Sequence, residues 1–264
     1  MRKTITLFDM DGTLTEARQA FDKDLFPALS KLSSVSDIGI VSGSDYNYIV
    51  EQMHFLMHSS SLRYMTHIFP CNGTKHYTPP EHSAGDFKLT YEVNMRDEIG
   101  EDCFKELMKL ILKQQVAYSS KLPSLSGHFV DYRNSMINWC PIGRNASQQQ
   151  RDEFVQWDTS FNFRGVELLY LTTFGTIEDN NIEIKLGGDT SFDIYPKGWD
   201  KTHCLRHLTD YDSIYFVGDR CGPGGNDKEL YEKLQPNNSF ATVNPSNTAK
   251  IVEKIISKIN GNQS

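Results

Sequence analysis

Apolar residues fall into short runs along the chain, and their spacing names the elements. Thr4-Ile5-Thr6-Leu7-Phe8 is a nearly continuous run that stops at Asp9, the pattern of a strand buried on both faces. Phe21 to Leu32 follows with helical spacing. Ile38-Gly39-Ile40-Val41 predicts a second short strand, ending at Ser42-Gly43-Ser44-Asp45, and a helix runs on from Tyr46 to about Met57. Strand, helix, strand, helix is how a parallel α/β sheet begins.

The middle of the chain changes character. Pro79-Pro80 and Gly85 read as a linker. Glu101 to Val116 carries Phe104, Leu107, Met108 and Ile111 at helical spacing. His128 to Arg133 and Met136 to Trp139 alternate like paired strands, and Ser147 with Gln150 forms a capping box ahead of Phe154 and Trp157. Val166 to Leu171 and Ile182 to Leu186 read as further strands. Gly187-Gly188 marks a return to the first pattern, Ile214 to Val217 is another buried strand closed by Gly218-Asp219, and Asn247 to Ile259 is a last helix. The class is α/β, with an α+β insert interrupting the core.

Composition narrows the function. The 264 residues are 38% hydrophobic and 23% charged, enough for a sizeable core in a soluble protein. The longest apolar stretches, such as Leu168 to Leu171, are far short of a membrane span, and the N-terminal run is too short for a signal peptide. A net charge of -7, a pI near 5.6 and no Lys/Arg block argue against nucleic acid. A small anionic substrate remains open, because a few arginines can cluster in an acidic protein. The five cysteines are odd in number and lack metal spacing, so reduced thiols and a cytoplasmic setting are expected. His54/His58 and His203/His207 are each four apart without a His-Glu-x-x-His arrangement, and read as surface or packed histidines.

Chemistry concentrates at strand ends. In Phe8-Asp9-Met10-Asp11-Gly12-Thr13 two acids separated by one residue point the same way along an extended chain, and Gly12 lets the backbone turn close to a ligand. Ligands of open parallel sheets sit at the carboxyl ends of strands. There, one carboxylate can attack phosphorus while the other moves a proton. Asp219 ends another core strand and can share a hard cation with Asp9. Ser42 ends the second strand, where its hydroxyl can bond a phosphoryl oxygen, while Ser44 suits capping of the next helix. Lys201 can balance carboxylates and phosphate, though taken alone it reads as solvated. The Gly222 to Asp227 loop lacks the Gly-Lys-Ser/Thr ending of a P-loop and reads as a loop shaping the metal site. Arg133, Arg144 and Arg151 in the insert have the fork that fits phosphate, but spacing gives no reason to unite them.

Phe8 to Thr13 resembles motif I of the haloacid dehalogenase superfamily, with Ser42, Lys201 and Gly218-Asp219 in the places of motifs II, III and IV. The likeness is closer still to the eukaryotic-type α-phosphomannomutases, from about Lys3 to Ile256. It rests on Leu14 to Arg18, Gly43 to Tyr46 with Glu51-Gln52, Asn72-Gly73, Tyr132 to Asn134, Pro141 to Arg144 and Ser147 to Arg151. Gly187-Gly188 with Ser191 to Asp193, Gly198 to Lys201 and Pro223 to Asp227 complete it.

This resemblance implies a Rossmann-like core (1–81 and 187–264) with an α+β cap (82–186) that closes over it and pairs cap to cap in a homodimer. It implies interconversion of mannose 6-phosphate and mannose 1-phosphate, with mannose or glucose 1,6-bisphosphate as activator, feeding GDP-mannose synthesis. Asp9 would carry an aspartyl-phosphate. Asp11 would be the general acid/base, its carbonyl joining Asp9 and Asp219 in holding Mg2+, with Lys201 and Ser42 assisting. Arg18, Arg133, Arg144, Arg151, Ser191 and Asp193 match positions that bind the sugar phosphate. Two stretches depart. Tyr231 to Pro236 replaces Phe-x-Asp-Pro-Arg-Thr, a second cation loop, and Leu125-Ser126-Gly127-His128-Phe129 replaces Lys-Arg-Gly-Thr-Phe, which removes a basic side chain. A sugar-phosphate phosphatase with water as acceptor, and a silent binding protein, are the competing readings.

Overall fold

The computed structural model describes residues 3–174 and 181–261. In chain order the elements are β1 (Thr4–Phe8), α1 (Phe26–Leu32), β2 (Asp37–Val41), α2 (Tyr46–Gln52), β3 (Thr66–Phe69), β4 (Lys75–Thr78) and β5 (Lys88–Glu92). Then come α3 (Met95–Ile99), α4 (Glu101–Tyr118), β6 (Val130–Tyr132), β7 (Ile137–Trp139), α5 (Gln148–Phe161), α6 (Phe163–Phe174), β8 (Ile182–Gly187) and β9 (Ser191–Pro196). The chain ends with β10 (Ser213–Gly218), α7 (Lys228–Lys233), β11 (Ser239–Ala241) and α8 (Pro245–Gly261). They form two compact units, residues 1–92 with 199–264, and residues 93–198.

The first unit is built on a seven-stranded sheet in the order β11-β10-β1-β2-β3-β4-β5. The strands from β11 to β3 pair in parallel, and β4 and β5 add antiparallel at one edge. Every residue of β1 is buried, as a central strand covered on both faces requires. Its side chains alternate between two cores. Ile5 and Leu7 pack with Phe69, Phe216 and Leu230, while Phe8 joins Leu29, Leu32, Val252 and Ile255 on the helical side formed by α1 and α8. Register decides where the strands stop. Phe8 lies opposite both Ile40 of β2 and Val217 of β10, and Val41 lies opposite Phe69 of β3. Four parallel strands therefore release their following residues along one edge of the sheet.

The second unit is a four-stranded antiparallel sheet, β6-β7-β9-β8, with α3 to α6. Trp139 is fully buried, stacks on Phe192 at 4.9 Å and donates its indole N–H to Gln115 Oε1 at 2.8 Å. The capping box at Ser147 forms with both of its hydrogen bonds. The junctions lie about ten residues beyond those read from sequence, at 92/93 and 198/199 rather than 81/82 and 186/187. The prolines at 79–80 interrupt a hairpin instead of leaving the sheet, since β4 and β5 pair across them. Gly187-Gly188 turns β8 into β9, and β9 pairs with β7, so the chain stays in the second sheet.

Val166 to Leu171, expected as a strand, lies inside α6. Phe163, Glu167 and Leu171 are buried at four-residue intervals while Val166, Leu169 and Tyr170 are exposed. A six-residue apolar window is too short to separate that period from a strand's. Among the described residues no helix is long and apolar enough to cross a membrane.

A column of neutral histidines runs through the first unit. Antiparallel pairing of β3 with β4 sets His67 beside His76, with Nδ1 and Nε2 3.0 Å apart. One ring must donate and the other accept. The Tyr211 hydroxyl lies 3.2 Å from His67 Nε2 and donates to Asp37 at 2.7 Å. His76 stacks on Phe69 at 4.7 Å and on His207 at 4.9 Å, and His207 Nε2–H donates to the Gly73 carbonyl at 3.0 Å. Burial pushes all three imidazoles down, His76 to about 3, although Asp37 partly opposes this at His67.

The folded state therefore holds these rings neutral, while the unfolded chain protonates them near 6.5. Their contribution is complete above that pH and is lost as pH falls below it. Each fully neutral histidine costs about 1.4 kcal/mol of stability per pH unit below that point. Urea unfolding at pH 7.5, 6.5 and 5.5 is expected to show this slope, and His76→Gln to remove about one proton's share. A variant as steep as the wild type would place the proton uptake elsewhere.

Candidate active site

The shared edge of the first sheet gathers the candidate catalytic residues. Asp9 follows β1 directly, and its amide donates to the Val217 carbonyl at 2.9 Å, which ties the position to β10. The chain then turns sharply, with Gly12 N–H donating to Thr15 O at 2.7 Å and the Leu14 and Thr15 amides donating to Met10 O. Gly12 has φ +81, and a Cβ there would lie 2.3 Å from Asp219 Oδ2. The turn needs glycine twice over, for its backbone and for the carboxylate that packs against it.

Lys201 begins a short 3-10 turn capped by Asp200, whose carboxylate accepts from Thr202 N–H at 2.7 Å. Its side chain is fully buried. Nζ bonds Asp9 Oδ1 and, at 2.6 Å, Asp227 Oδ1. Asp227 is itself fully buried and accepts the Arg220 amide on Oδ2 at 3.0 Å. The loop from Gly218 to Asp227 folds so tightly that a Cβ on Gly218 would lie 2.6 Å from Asp227 Oδ2.

The electrostatics follow from this crowding. Burial pushes Asp9 well above the usual carboxylate range, with Asp227 and Asp219 adding to the rise and Lys201 opposing it. Burial and then Asp227 push Asp219 up to about 6. Burial alone would lower Lys201, yet Asp227 and Asp9 outweigh it and hold the ammonium firmly charged. One buried cation thus faces three acids. Ligand oxygens of Asp9, Asp219 and Asp227 lie within 4.8 Å of one another, and Asp219 Oδ1 is buried with no hydrogen-bond partner. Surplus negative charge, hard oxygens and an orphaned carboxylate oxygen fit a divalent cation such as Mg2+.

The remaining residues singled out in this unit gather nearby. Asp11 accepts the Arg18 amide on Oδ1 at 2.8 Å, and burial raises its carboxyl. It is not among the three clustered acids. Arg18 adopts a left-handed backbone, φ 63. Ser42 is buried after β2, and its Oγ accepts the Ser44 amide at 3.1 Å. Asp45, not Ser44, caps α2, accepting from Tyr48 N–H at 2.9 Å. Ser44 instead gives its carbonyl to the Cys71 amide at 2.9 Å. Thr13 Oγ1 is also buried without a partner.

In the second unit the sheet unites what spacing could not. Register sets Asn138 of β7 opposite Asp193 of β9. Asn138 Nδ2 donates to Asp193 Oδ1 at 2.7 Å and to Ser191 Oγ at 3.0 Å, and its Oδ1 accepts from Arg144 Nη1 at 2.9 Å. Arg133 and Arg144 share Asp131 Oδ2, at 2.8 and 3.5 Å. Burial would raise Asp131, but the two guanidiniums outweigh it and hold the carboxyl below its usual range. Arg151 is buried and donates to Ala146 O, Thr190 Oγ1 and Arg144 O, fixing the loop that presents Arg144.

Sequence reasoning missed Asp131, Asn138 and Asp227. The signal for Asp227 was its place eight residues after Asp219 in the same glycine-rich loop.

Known proteins are similar to this chain. The family model for eukaryotic phosphomannomutases covers residues 25–258. Phosphomannomutase 1 of Dictyostelium discoideum is 34% identical, over 97% of this chain and 97% of its own. A phosphomannomutase of Dendrobium officinale is 36% identical, over 93% and 91%. Among solved structures, an N-terminally truncated, IMP-bound IMP-nucleotidase of Plasmodium falciparum shares the fold at TM-score 0.61 and 15% identity, covering 96% of this chain and 68% of its own.

The crowded acids yield a test that needs no turnover. Mg2+ binding only the folded state raises stability by about 2.7 kcal/mol at a hundred times its Kd. Thermal melts are expected to rise with Mg2+ in the wild type. Asp219→Asn, which removes one of the like charges, is expected to melt higher than wild type in EDTA and to lose most of the Mg2+ shift. A full Mg2+ shift in that variant would move the cation away from Asp219.

Proposed function

The chain belongs to the eukaryotic phosphomannomutase family, and on that premise we propose that it interconverts mannose 6-phosphate and mannose 1-phosphate through a phosphoryl group carried on Asp9. The observation that carries this reading is the buried Lys201 ammonium bridging Asp9, at the end of β1, and Asp227, in the loop between β10 and α7. That contact holds Asp9 in place, and the ammonium can offset charge as a phosphoryl group arrives.

A hexose 1,6-bisphosphate, of mannose or glucose, starts the cycle. An Asp9 carboxylate oxygen attacks one phosphorus, the bond from that phosphorus to the sugar oxygen breaks, and the leaving oxygen takes a proton from Asp11. Burial raises Asp11, which suits an acid at this step. A monophosphate then presents its free hydroxyl. The hydroxyl oxygen attacks the aspartyl phosphorus, its proton passes to Asp11, and Asp9 leaves as a carboxylate. Ser42 and Lys201 steady the phosphoryl oxygens. Asp9, Asp219 and Asp227, with the Asp11 carbonyl, would hold Mg2+, whose chemistry when bound is to offset charge on the transferring group.

A mutase must also hold the phosphate that is not reacting. That role falls to Arg133, Arg144 and Arg151 of the second unit with Ser191 and Asp193, and to Arg18 of the first. The convergence of Arg133 and Arg144 on Asp131 supports it. Leu112 and Val116 of α4 and Val166 and Leu169 of α6 are exposed, in keeping with a homodimer formed through this unit. The product, a sugar 1-phosphate, suits synthesis of GDP-mannose in the cytoplasm.

A coupled assay with mannose 1-phosphate, Mg2+ and catalytic hexose bisphosphate tests the reading directly. Mannose 6-phosphate is expected to accumulate without free phosphate, and Asp9→Asn to abolish turnover while the protein still folds. Release of phosphate in place of the isomer would make the chain a phosphatase.

Arg144→Ala tests the distal grip. Loss of a charge-assisted hydrogen bond costs roughly 1.5–3 kcal/mol, on the order of ten- to a hundred-fold in binding. Efficiency with mannose 1-phosphate is expected to fall by that factor, and efficiency with acetyl phosphate, which has no distal phosphate, to fall far less. An unchanged ratio would remove Arg144 from phosphate recognition.

A further inference from the structure

The turn after β3 lies between two of the loops just described. Cys71-Asn72-Gly73 leaves the sheet beside the Ser42 loop, because Val41 and Phe69 stop in register. Asn72 is buried and left-handed, with φ 64 and ψ 21. Its amide donates to the Ser42 carbonyl at 2.8 Å, and its Nδ2 donates to the Trp199 carbonyl at 3.3 Å, two residues before Lys201. Cys71 reinforces the first link by donating to Ser44 O at 2.9 Å. Gly73, φ +87, lies so close to the 3-10 turn that a Cβ would fall 2.6 Å from the Cys204 amide nitrogen. The His207 ring holds the Gly73 carbonyl from the far end of that turn, at 3.0 Å.

We propose that Asn72 is a positioning residue, which fixes the backbone that carries Lys201 against the one that carries Ser42. Lys201 has little freedom to correct an error in its backbone, because its ammonium must reach Asp9 and Asp227 together from a fully buried stem. Asn72 suits the place on three counts. It tolerates the left-handed backbone. It offers an amide hydrogen in one direction and a side-chain donor in the other. It is also uncharged, so it leaves the balance between Lys201 and the acids unchanged. The proposal rests on the reading of Lys201 and Asp9 as phosphoryl-transfer groups. It does not depend on which sugar is the substrate.

Glycine isolates the side chain. Asn72→Gly keeps the left-handed turn and the amide bond to Ser42 and loses only the bond to Trp199. Asn72→Asp keeps size and shape but sets a carboxylate against the Trp199 carbonyl. Both variants and wild type are to be assayed with acetyl phosphate as well as mannose 1-phosphate. Acetyl phosphate needs only Asp9 chemistry, so failure on the sugar alone would overturn the mutase reading and leave this test standing.

The expected result for Asn72→Gly is a kcat about ten-fold lower on acetyl phosphate, with KM within about two-fold. Asn72→Asp should be at least as slow. In a Lys201→Met background, Asn72→Gly should change the residual rate by less than about two-fold, because the group it positions is gone. A full ten-fold loss in that background would overturn the proposal, and so would a wild-type kcat in Asn72→Gly. If Lys201→Met does not fold, the split between kcat and KM decides, and equal loss in both substrates' KM with kcat intact would count against positioning.

Discussion

Everything at the active edge depends on keeping one ammonium charged in a place without water. Lys201 is fully buried, and its two partners, Asp9 and Asp227, are buried with it. Removing one member of such a pair costs on the order of 3–5 kcal/mol, because the other is left uncompensated. A hydrophobic replacement of the whole cluster would cost the fold little and would remove the groups proposed to carry the phosphoryl transfer. The cluster is therefore a functional expense, and the surrounding structure is arranged to bear it. Asp227 gains a backbone N–H from Arg220, Asp9 is tied through its own amide to β10, and the turn at Lys201 is capped by Asp200.

That arrangement starts in the sheet. With Phe8, Val217 and Ile40 in one row, Asp9, Asp219 and Ser42 follow from the same edge without any long loop. Glycines then let the carboxylates close in. Gly12 makes room for Asp219, and Gly218 makes room for Asp227. Each absent Cβ lets like charges approach, which adds to the rise that burial gives Asp9 and Asp219, and an oxygen of Asp219 is left without a partner. The same packing that makes the cluster costly without a counter-ion makes it a good ligand set for one.

The parts of this design visible in the sequence are those set by local rules. β1 reads from end to end because a strand buried on both faces is a short apolar run and nothing else. The capping box at Ser147 reads because it spans four residues. Asp9 and Asp219 were found because each follows a strand, whereas Lys201 reads as solvated by itself and was singled out only through the family resemblance. What stayed hidden depends on pairing. The loop of Asp227 reads as one that shapes a metal site, but only its fold, which turns the carboxylate under Gly218, brings Asp227 itself into the cluster. Asn138 reads as one polar residue in a strand until β9 places Asp193 opposite it. Val166 to Leu171 fails for a different reason, since Glu167 is buried and breaks the apolar face that would have marked α6 as a helix.

Both units hold their charged groups through shared contacts. In the first, three acids share one lysine and the surplus is negative. In the second, Arg133 and Arg144 converge on the same oxygen of Asp131, and Asn138 links Arg144 to Asp193. An arginine left wholly unpaired would wander among rotamers and lose that entropy on binding a phosphate. Fully paired, it would have to give up an equal partner first. Holding both forks on a shared carboxylate avoids the first cost. Asp131 and Asn138 hold the forks in position. Arg151 completes the logic from behind by holding the Arg144 carbonyl, so that the backbone as well as the side chain is set before any ligand arrives. Pre-organisation of this kind lowers the cost of binding without adding a contact, and it explains why residues that touch no phosphate are built into the cluster as firmly as those proposed to do so.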